Sequence, residues 1–375
     1  MFFQILFYVF LISAIIQIGY WLLVFSRIAF YKSYQPSAIS YQQTSPKEKV
    51  SVVICAHNEE KNIAEYLPYI LEQDYPIFEV VVVNDDSKDK TLEVLTEFQK
   101  VYQHLKVIHI CDKQTHGKKA ALAEGIRNTQ YELLLLTDAD CQPATKNWIR
   151  EMSAHISESP QTEIVLGYGP YKKYPHSFLN LFIRYETVWT AIQYIGFALA
   201  GFPYMGVGRN LMYRKINFEK NKNFFSKSKL ISGDDDLFVN NFITNNNFSV
   251  CICKDSFMWS EPKKNWKSFF LQKIRHLSTG TSYKTGHKIL LGLLSTSHFL
   301  FFVTALCLSL LKISTIFVTI IYVARLLVLF IICERIFEKF SEKKLLLWLP
   351  ILDFALVIYY IIMLPSLFIK TKNWK

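Results

Sequence analysis

The sequence predicts an α/β domain built on a mostly parallel sheet and bracketed by membrane-spanning helices. Three observations carry this. Between residues 50 and 137, short apolar runs alternate with helical stretches and polar turns. Residues 2–25 (FFQILFYVFLISAIIQIGYWLLVF) hold no charge, Arg27 being the first charged side chain. After about residue 287 the chain is again strongly apolar.

The N-terminal run, residues 1–26, reads as a retained transmembrane anchor. A cleavable signal peptide would show a basic start, a shorter apolar stretch and a small-residue cleavage site. Residues 27–49 are polar and turn-rich, as in a linker. Val50–Cys55 is then the first strand, followed by a helix from about Asn58 to Gln73. Phe78–Val83, Val107–Cys111 and Glu132–Thr137 are further strands, with helices over Lys90–Tyr102 and His116–Asn128 between them. Strands this continuously apolar are covered on both faces, which favours parallel pairing. Ligands on such sheets bind beyond the carboxyl ends of the strands. Polar clusters stand at three of those ends: His57 to Glu60, Asn84 to Asp86, and Asp138 to Asp140. This domain is expected to run over 50–262. Within it, residues 177–200 are apolar but interrupted by Arg184 and Glu186, the pattern of an amphipathic surface helix.

A basic-aromatic interfacial segment, 263–287, leads into three expected spans at about 288–311, 313–333 and 345–368, within 288–375. With the 50–262 domain cytosolic, the loop 334–344 and its four basic residues face the same side. The tail with Lys370, Lys372 and Lys375 falls on the other side, against that tendency. Arg325 and Asp353 lie inside the last two spans, each eight residues from the shared cytosolic end. At ~1.5 Å per residue both sit roughly 12 Å deep, and charges there are costly unless paired. They are expected to meet.

Composition narrows the partners. Formal net charge is +11, with basic clusters near 212–230 and 254–275. Anionic lipid headgroups explain this better than nucleic acid, since the second cluster lies just before a span. The seven cysteines suggest no disulfide framework, which fits a reducing cytosolic side. Cys251 and Cys253, two apart, are expected to point the same way from one strand, with no second pair nearby to complete a metal site.

Several residue groups carry candidate chemistry for a phosphorylated substrate and a divalent cation. Asp138 and Asp140, directly after an apolar strand, are two carboxylates at i and i+2, expected to project to one side of an extended chain. They form a hard-oxygen site for Mg²⁺ or Mn²⁺. Asp85, at another strand end, is placed to accept a base N–H, whereas Asp86 and Asp89 read as turn and helix-cap residues. Lys118 opens a helix after Gly117, where a cation and free backbone N–H groups suit phosphate. Asp234, Asp235 and Asp236 precede Leu237-Phe238-Val239 at a helix start. Three adjacent acids repel one another, capping needs only one, and one of them is the natural general base. Gln272, Arg275 and His276, at i, i+3 and i+4, share one helical face that could close over a diphosphate.

Taken together these segments resemble the family-2 glycosyltransferases with a GT-A fold, in particular the membrane-integrated cellulose, hyaluronan and poly-N-acetylglucosamine synthases. VVICAHNEEKNI resembles the first strand and nucleotide loop, and VVVNDDSKDKT the family's VVDDGSTDGT. HGKKAALAEGI is similar to GKAxALNxG, TDADC to DxD, GDDDLFVNN to GDD or ED, and QKIRH to QxxRW. The resemblance covers roughly 50–280. It implies that Ala56, His57, Glu59 and Asp85 contact the nucleotide, with Asp85 on the base. Asp138 and Asp140 would handle donor and metal, and Lys118 the diphosphate or sugar. Asp235 would be the catalytic base, with Asp234 its neighbouring alternative. Gln272 and Arg275 would bind the diphosphate, with His276 beside them. GVGRNLMYRK resembles the acceptor-side loop, with Asn210 its polar contact. Two departures stand out. His276 replaces the Trp of the polymer-forming members, and one span precedes the domain.

The implied activity is inverting transfer from a nucleotide sugar, UDP-linked by the resemblance, to a glycan or lipid-linked acceptor at the cytoplasmic membrane face. A polyprenyl-phosphate or glycolipid acceptor is the alternative within that class, and a non-catalytic sensor of nucleotide sugars the alternative outside it. Membrane lipids and a possible membrane partner subunit complete the expected partners.

Overall fold

The computed structural model describes residues 1–32, 48–111, 118–220 and 235–365. Most of the expected linker, residues His116 and Gly117, Asp234, and the basic tail therefore lie outside the described residues. The chain forms two compact units. One is built from Lys32–Tyr174 and Tyr204–Lys263, the other from Met1–Tyr31, Pro175–Pro203 and Lys264–Lys370.

The first unit is the α/β domain. Its seven-stranded sheet contains β1 (Val50–Ala56), β2 (Phe78–Asp85), β3 (Leu105–Ile110), β4 (Leu133–Asp138), β6 (Ile164–Gly167), β7 (Leu211–Arg214) and β8 (Phe248–Cys251), in the order β3-β2-β1-β4-β7-β6-β8. Strands β3, β2, β1 and β4 run parallel, as do β6 and β8. Strand β7 is antiparallel to both its neighbours. Every residue of β1 is buried, and all but Phe78 of β2, which is why these valine-rich runs sit centrally. The crossover helices are Glu60–Leu71, Thr91–Val101 and Lys118–Arg127, each shorter than expected by one or two residues per described end. On the last of these, Gly125 lets the backbone approach the sheet: a Cβ there would stand 2.9 Å from Val53 and from Val83. Trp148, Ile149 and Met152 of the helix Trp148–Glu158 close the core against Val52, Ile54, Leu135 and Met212.

Two short strands, β5 (Cys141–Pro143) and β9 (Met258–Ser260), form an antiparallel pair directly after β4. Strand β8 ends at Cys251, so Cys253 lies beyond it and the two thiols do not share a strand face as expected. The chain turns at Cys253 into the short helical turn Lys254–Ser256.

Among the described residues, the second unit holds four helices long and apolar enough to cross a membrane: Phe2–Phe30, Thr285–Leu310, Thr315–Lys339 and Lys343–Met363. The third runs six residues past its expected end, because Glu334 to Lys339 contains neither Gly nor Pro and continues the turn. The expected loop 334–344 is therefore mostly helix. The stretch at 177–200 also corrects its expectation. Phe178–Leu199 is one helix buried on nearly all sides within this unit, not a surface helix of the α/β domain. Its two charges find partners there. Arg184 Nε donates to both carboxylate oxygens of Glu342 at 3.1 Å, and Glu186 pairs with Lys273. A buried charge with a fitted partner costs far less than its hydropathy suggests.

Candidate active site

The parallel register sets Ala56 beside Asn84, and Cys55 beside Asp138, so the ends of β1, β2 and β4 open side by side. At the first end, His57 Nδ1 donates to the Asp85 carbonyl at 2.6 Å, which leaves Nε2 to accept from Asn58 Nδ2 at 3.1 Å. Those two bonds select the Nδ1–H tautomer. Asn58 takes a left-handed φ of 55°, a conformation asparagine tolerates, and its Oδ1 accepts from Lys88 N–H at 2.7 Å. The Glu59 N–H donates to Thr91 Oγ1 at 2.9 Å, and Asp89 accepts from the Thr91 backbone and hydroxyl. The loops after β1 and β2 are thus stapled together, with Ala56 and Asp85 fully buried beneath them. Asp86 sits in the turn at φ 50° and Asp89 serves the helix start, as expected.

At the end of β4, Lys118 Nζ lies 2.5 Å from Asp138 Oδ1. The strand ends at Asp138 and the chain turns before β5, so the pairing of Asp138 with Asp140 does not come from extended alternation. It comes from that turn. Oxygens of Asp138 and Asp140 and the Cys141 sulfur all fall within 4.8 Å of one another. Burial pushes the Asp140 carboxyl above its ordinary value, and the charges of Asp138 and Glu59 push it further. Burial, then Asp140 and Asp138, likewise hold the Cys141 thiol protonated. The donors on offer are therefore two repelling hard carboxylates beside a neutral sulfur, a set that fits Mg²⁺ or Mn²⁺.

Asp235 caps the helix Asp236–Phe242, its Oδ1 accepting from Asp236 N–H at 2.8 Å. Its Oδ2 accepts from Gly208 N–H at 2.7 Å. These two bonds aim the carboxylate.

Asn210, expected as the acceptor-side polar contact, lies in the interior of the α/β unit. It is fully buried, its Oδ1 accepts from Trp148 Nε1 at 2.9 Å, and its Nδ2 donates to the carbonyls of Tyr168 (2.9 Å) and Ser256 (2.8 Å). Both amide hydrogens are spent, so the side chain anchors the turn Gly208–Asn210. Sequence reasoning missed its neighbours Gly208 and Arg209. The signal available was an arginine standing between a glycine and an asparagine in a loop already linked to the acceptor side. Gln272, Arg275 and His276 lie on the helix Trp266–Leu277, in the unit that holds the apolar helices.

A second cluster, Glu151, Cys253 and Asp255, also brings its donor atoms within 4.8 Å. Burial pushes Glu151 up and Cys253 up to about 11, consistent with a thiol hydrogen-bonded to the carboxyl.

Residues 51–220 match the family model described as Glycosyl transferase family 2. A probable glycosyltransferase, YdaM, of Bacillus subtilis is 27% identical over 235 residues, 60% of this chain and 54% of that protein. A β-monoglucosyldiacylglycerol synthase of Trichormus variabilis is 36% identical over 118 residues, 31% of this chain and 24% of that protein. A poly-β-1,6-N-acetyl-D-glucosamine synthase of Staphylococcus epidermidis is 33% identical over 93 residues, 25% of this chain and 22% of that protein. The chain thus spans about half the length of the first of these relatives and less of the others. Among solved structures, the mannosyltransferase PcManGT from Pyrobaculum calidifontis, in complex with GDP-Man and Mn²⁺, superposes with a TM-score of 0.59. It is 18% identical, and the match covers 82% of this chain and 86% of that one. The α/β unit has a GT-A-like fold.

Proposed function

We propose that the chain, whose residues 51–220 match the family model described as Glycosyl transferase family 2, is a membrane-bound inverting glycosyltransferase. It takes a nucleotide diphosphate sugar, UDP-linked, and serves a glycan or lipid-linked acceptor at the cytoplasmic membrane face. The observation that carries this reading is the convergence of Asp138, Asp140 and Lys118 at the open ends of parallel strands. A solved structure with the same fold holds a nucleotide sugar and Mn²⁺, and the four apolar helices support attachment to a membrane.

In this reading Ala56, His57, Glu59 and Asp85 line the nucleotide side. Asp138 and Asp140 would hold Mg²⁺ or Mn²⁺, which supplies Lewis-acid charge toward diphosphate oxygens. Lys118, paired with Asp138, adds a positive charge on the leaving-group side. The acceptor hydroxyl oxygen attacks the anomeric carbon, the bond from that carbon to the diphosphate oxygen breaks, and the proton passes to Asp235. The assignment of Gln272 and Arg275 to the diphosphate, with His276 beside them, rests on the motif alone.

Detergent-solubilised protein incubated with Mn²⁺ or Mg²⁺ and a panel of nucleotide sugars should release nucleotide diphosphate from one donor. Asp140→Ala should abolish this, and Asp235→Asn should slow transfer by ~10²–10⁴ while sparing donor binding. Release undiminished in Asp140→Ala would sink the cation site, and normal turnover in Asp235→Asn would move the base elsewhere.

A further inference from the structure

The turn Gly208–Asn210 connects the two halves of the proposed site. Gly208 gives its N–H to Asp235, and Asn210 is pinned at three points. Between them Arg209 donates to the Gly169 carbonyl and lays its guanidinium 4.5 Å above the Tyr171 ring. Two glycines make this docking possible, because a Cβ at Gly167 would collide with Asn210 and one at Gly169 with Arg209. Tyr171 in turn bridges to Ser260, whose N–H donates to the Pro170 carbonyl and whose own carbonyl accepts from Lys172 N–H, both at 3.0 Å. Ser260 pairs with Cys141 across β5 and β9, and its Oγ lies 3.0 Å from the Cys141 sulfur. An unbroken chain of contacts therefore runs from Asp235 through Arg209 and Tyr171 to the Asp138–Asp140–Cys141 cluster.

We infer that Arg209 is a positioning residue of this site: braced on Tyr171 and Gly169, it fixes a positive charge beside the metal-side carboxylates and locks them in register with Asp235. The inference rests on the reading of Asp138 and Asp140 as a cation site and of Asp235 as the base. Burial opposes the charge on Arg209, while the hydrogen bond to Tyr171 and the charge of Asp138 favour it, and the side chain stays ionised. Arginine suits the task because its planar group can stack and hydrogen-bond at once, and it stays charged when partly buried. A charge fixed there has two effects of opposite sign. It weakens binding of a free divalent cation by like-charge repulsion, and it holds the geometry on which turnover depends.

The test is a Mn²⁺ titration of the nucleotide-free, detergent-solubilised full chain, followed by electron paramagnetic resonance, together with donor turnover. Arg209→Met should bind Mn²⁺ more tightly, on the order of tenfold, because one neighbouring positive charge is gone. Its turnover should nevertheless fall on the order of tenfold or more. Arg209→Lys, which keeps the charge but neither the fork nor the stack, should leave Mn²⁺ affinity near that of the parent and still lose turnover. A residue that merely supports folding would loosen the site and weaken Mn²⁺ binding in both variants. Mn²⁺ affinity unchanged or weakened in Arg209→Met, or unchanged turnover, overturns the inference. Asp140→Ala separates the two levels of failure. If it binds Mn²⁺ as the parent does, the cation site itself is wrong and the role of Arg209 falls with it.

Discussion

Two buried side chains of the α/β unit, Asn210 and His155, show how little a residue's type says about its work. Asn210 sits in a motif that promises substrate contact, yet both its amide hydrogens and one lone pair of its Oδ1 are engaged by Tyr168, Ser256 and Trp148. His155 lies in the helix Trp148–Glu158, far from any motif, and its Nδ1 is 2.7 Å from Ser249 Oγ. Burial pulls its pKa down to about 4 from an ordinary 6.5. The folded state thus prefers the neutral ring, while the unfolded chain takes up a proton below 6.5. Stability from this group is complete above pH 6.5, declines as pH falls toward 4, and changes no further below that. The decline amounts to at most about 3 kcal/mol. His155→Gln should flatten that part of the acid loss, read as apparent melting temperature against pH in detergent. Equal slopes for the two proteins between pH 6.5 and 4 would show that His155 is not the group responsible.

Secondary-structure elements show where sequence reasoning reached and where it stopped. The central strands were legible because their apolar runs are long and uninterrupted, and Asp85 and Asp138 were legible because they end such runs. The extra helix of the second unit was misread. Arg184 and Glu186 mark a surface in sequence, and only Glu342 and Lys273, more than 80 residues away, make them buried. The closeness of Asp138 and Asp140 was foreseen for the wrong reason, a strand in place of a turn. Gly208 was not legible at all, since its role depends on a backbone N–H and on space. A Cβ at Gly208 would stand 2.9 Å from Asp235 Oδ2, and the turn would have to yield. Gly208→Ala should therefore lower turnover by roughly tenfold to a hundredfold through misplacement of Asp235, with nucleotide affinity by calorimetry within about twofold of the parent. Loss of nucleotide binding instead would mean that the turn supports the whole domain and not the base.

Across the whole chain, a second constraint is charge inside the apolar helices. The expected meeting of Arg325 and Asp353 is present, Arg325 Nη1 donating to Asp353 Oδ2 at 2.6 Å. The pair recruits both other spans. Gln17 Oε1 accepts from Arg325 at 3.3 Å, and His298 Nε2 lies 3.0 Å from Asp353 Oδ1. Each of the four candidate spans contributes one side chain, and Arg325, Asp353, His298 and Gln17 are all at most 4% exposed. Apolar surfaces alone give helices little reason to choose partners in lipid, whereas one shared polar cluster specifies which four come together. Removing one member strands a charge: Arg325→Leu or Asp353→Leu should each destabilise by about 3–5 kcal/mol. The double replacement should recover part of that loss, because no unpaired ion is left. The exchange Arg325→Asp with Asp353→Arg should recover less than restoration of the parent, since His298 and Gln17 would then face the wrong charge. Melting temperature and the monodisperse fraction on size exclusion report all four variants. If the single replacements are as stable as the parent, the cluster does not organise the spans, and packing of residues such as Phe10 against Phe301 must do so instead.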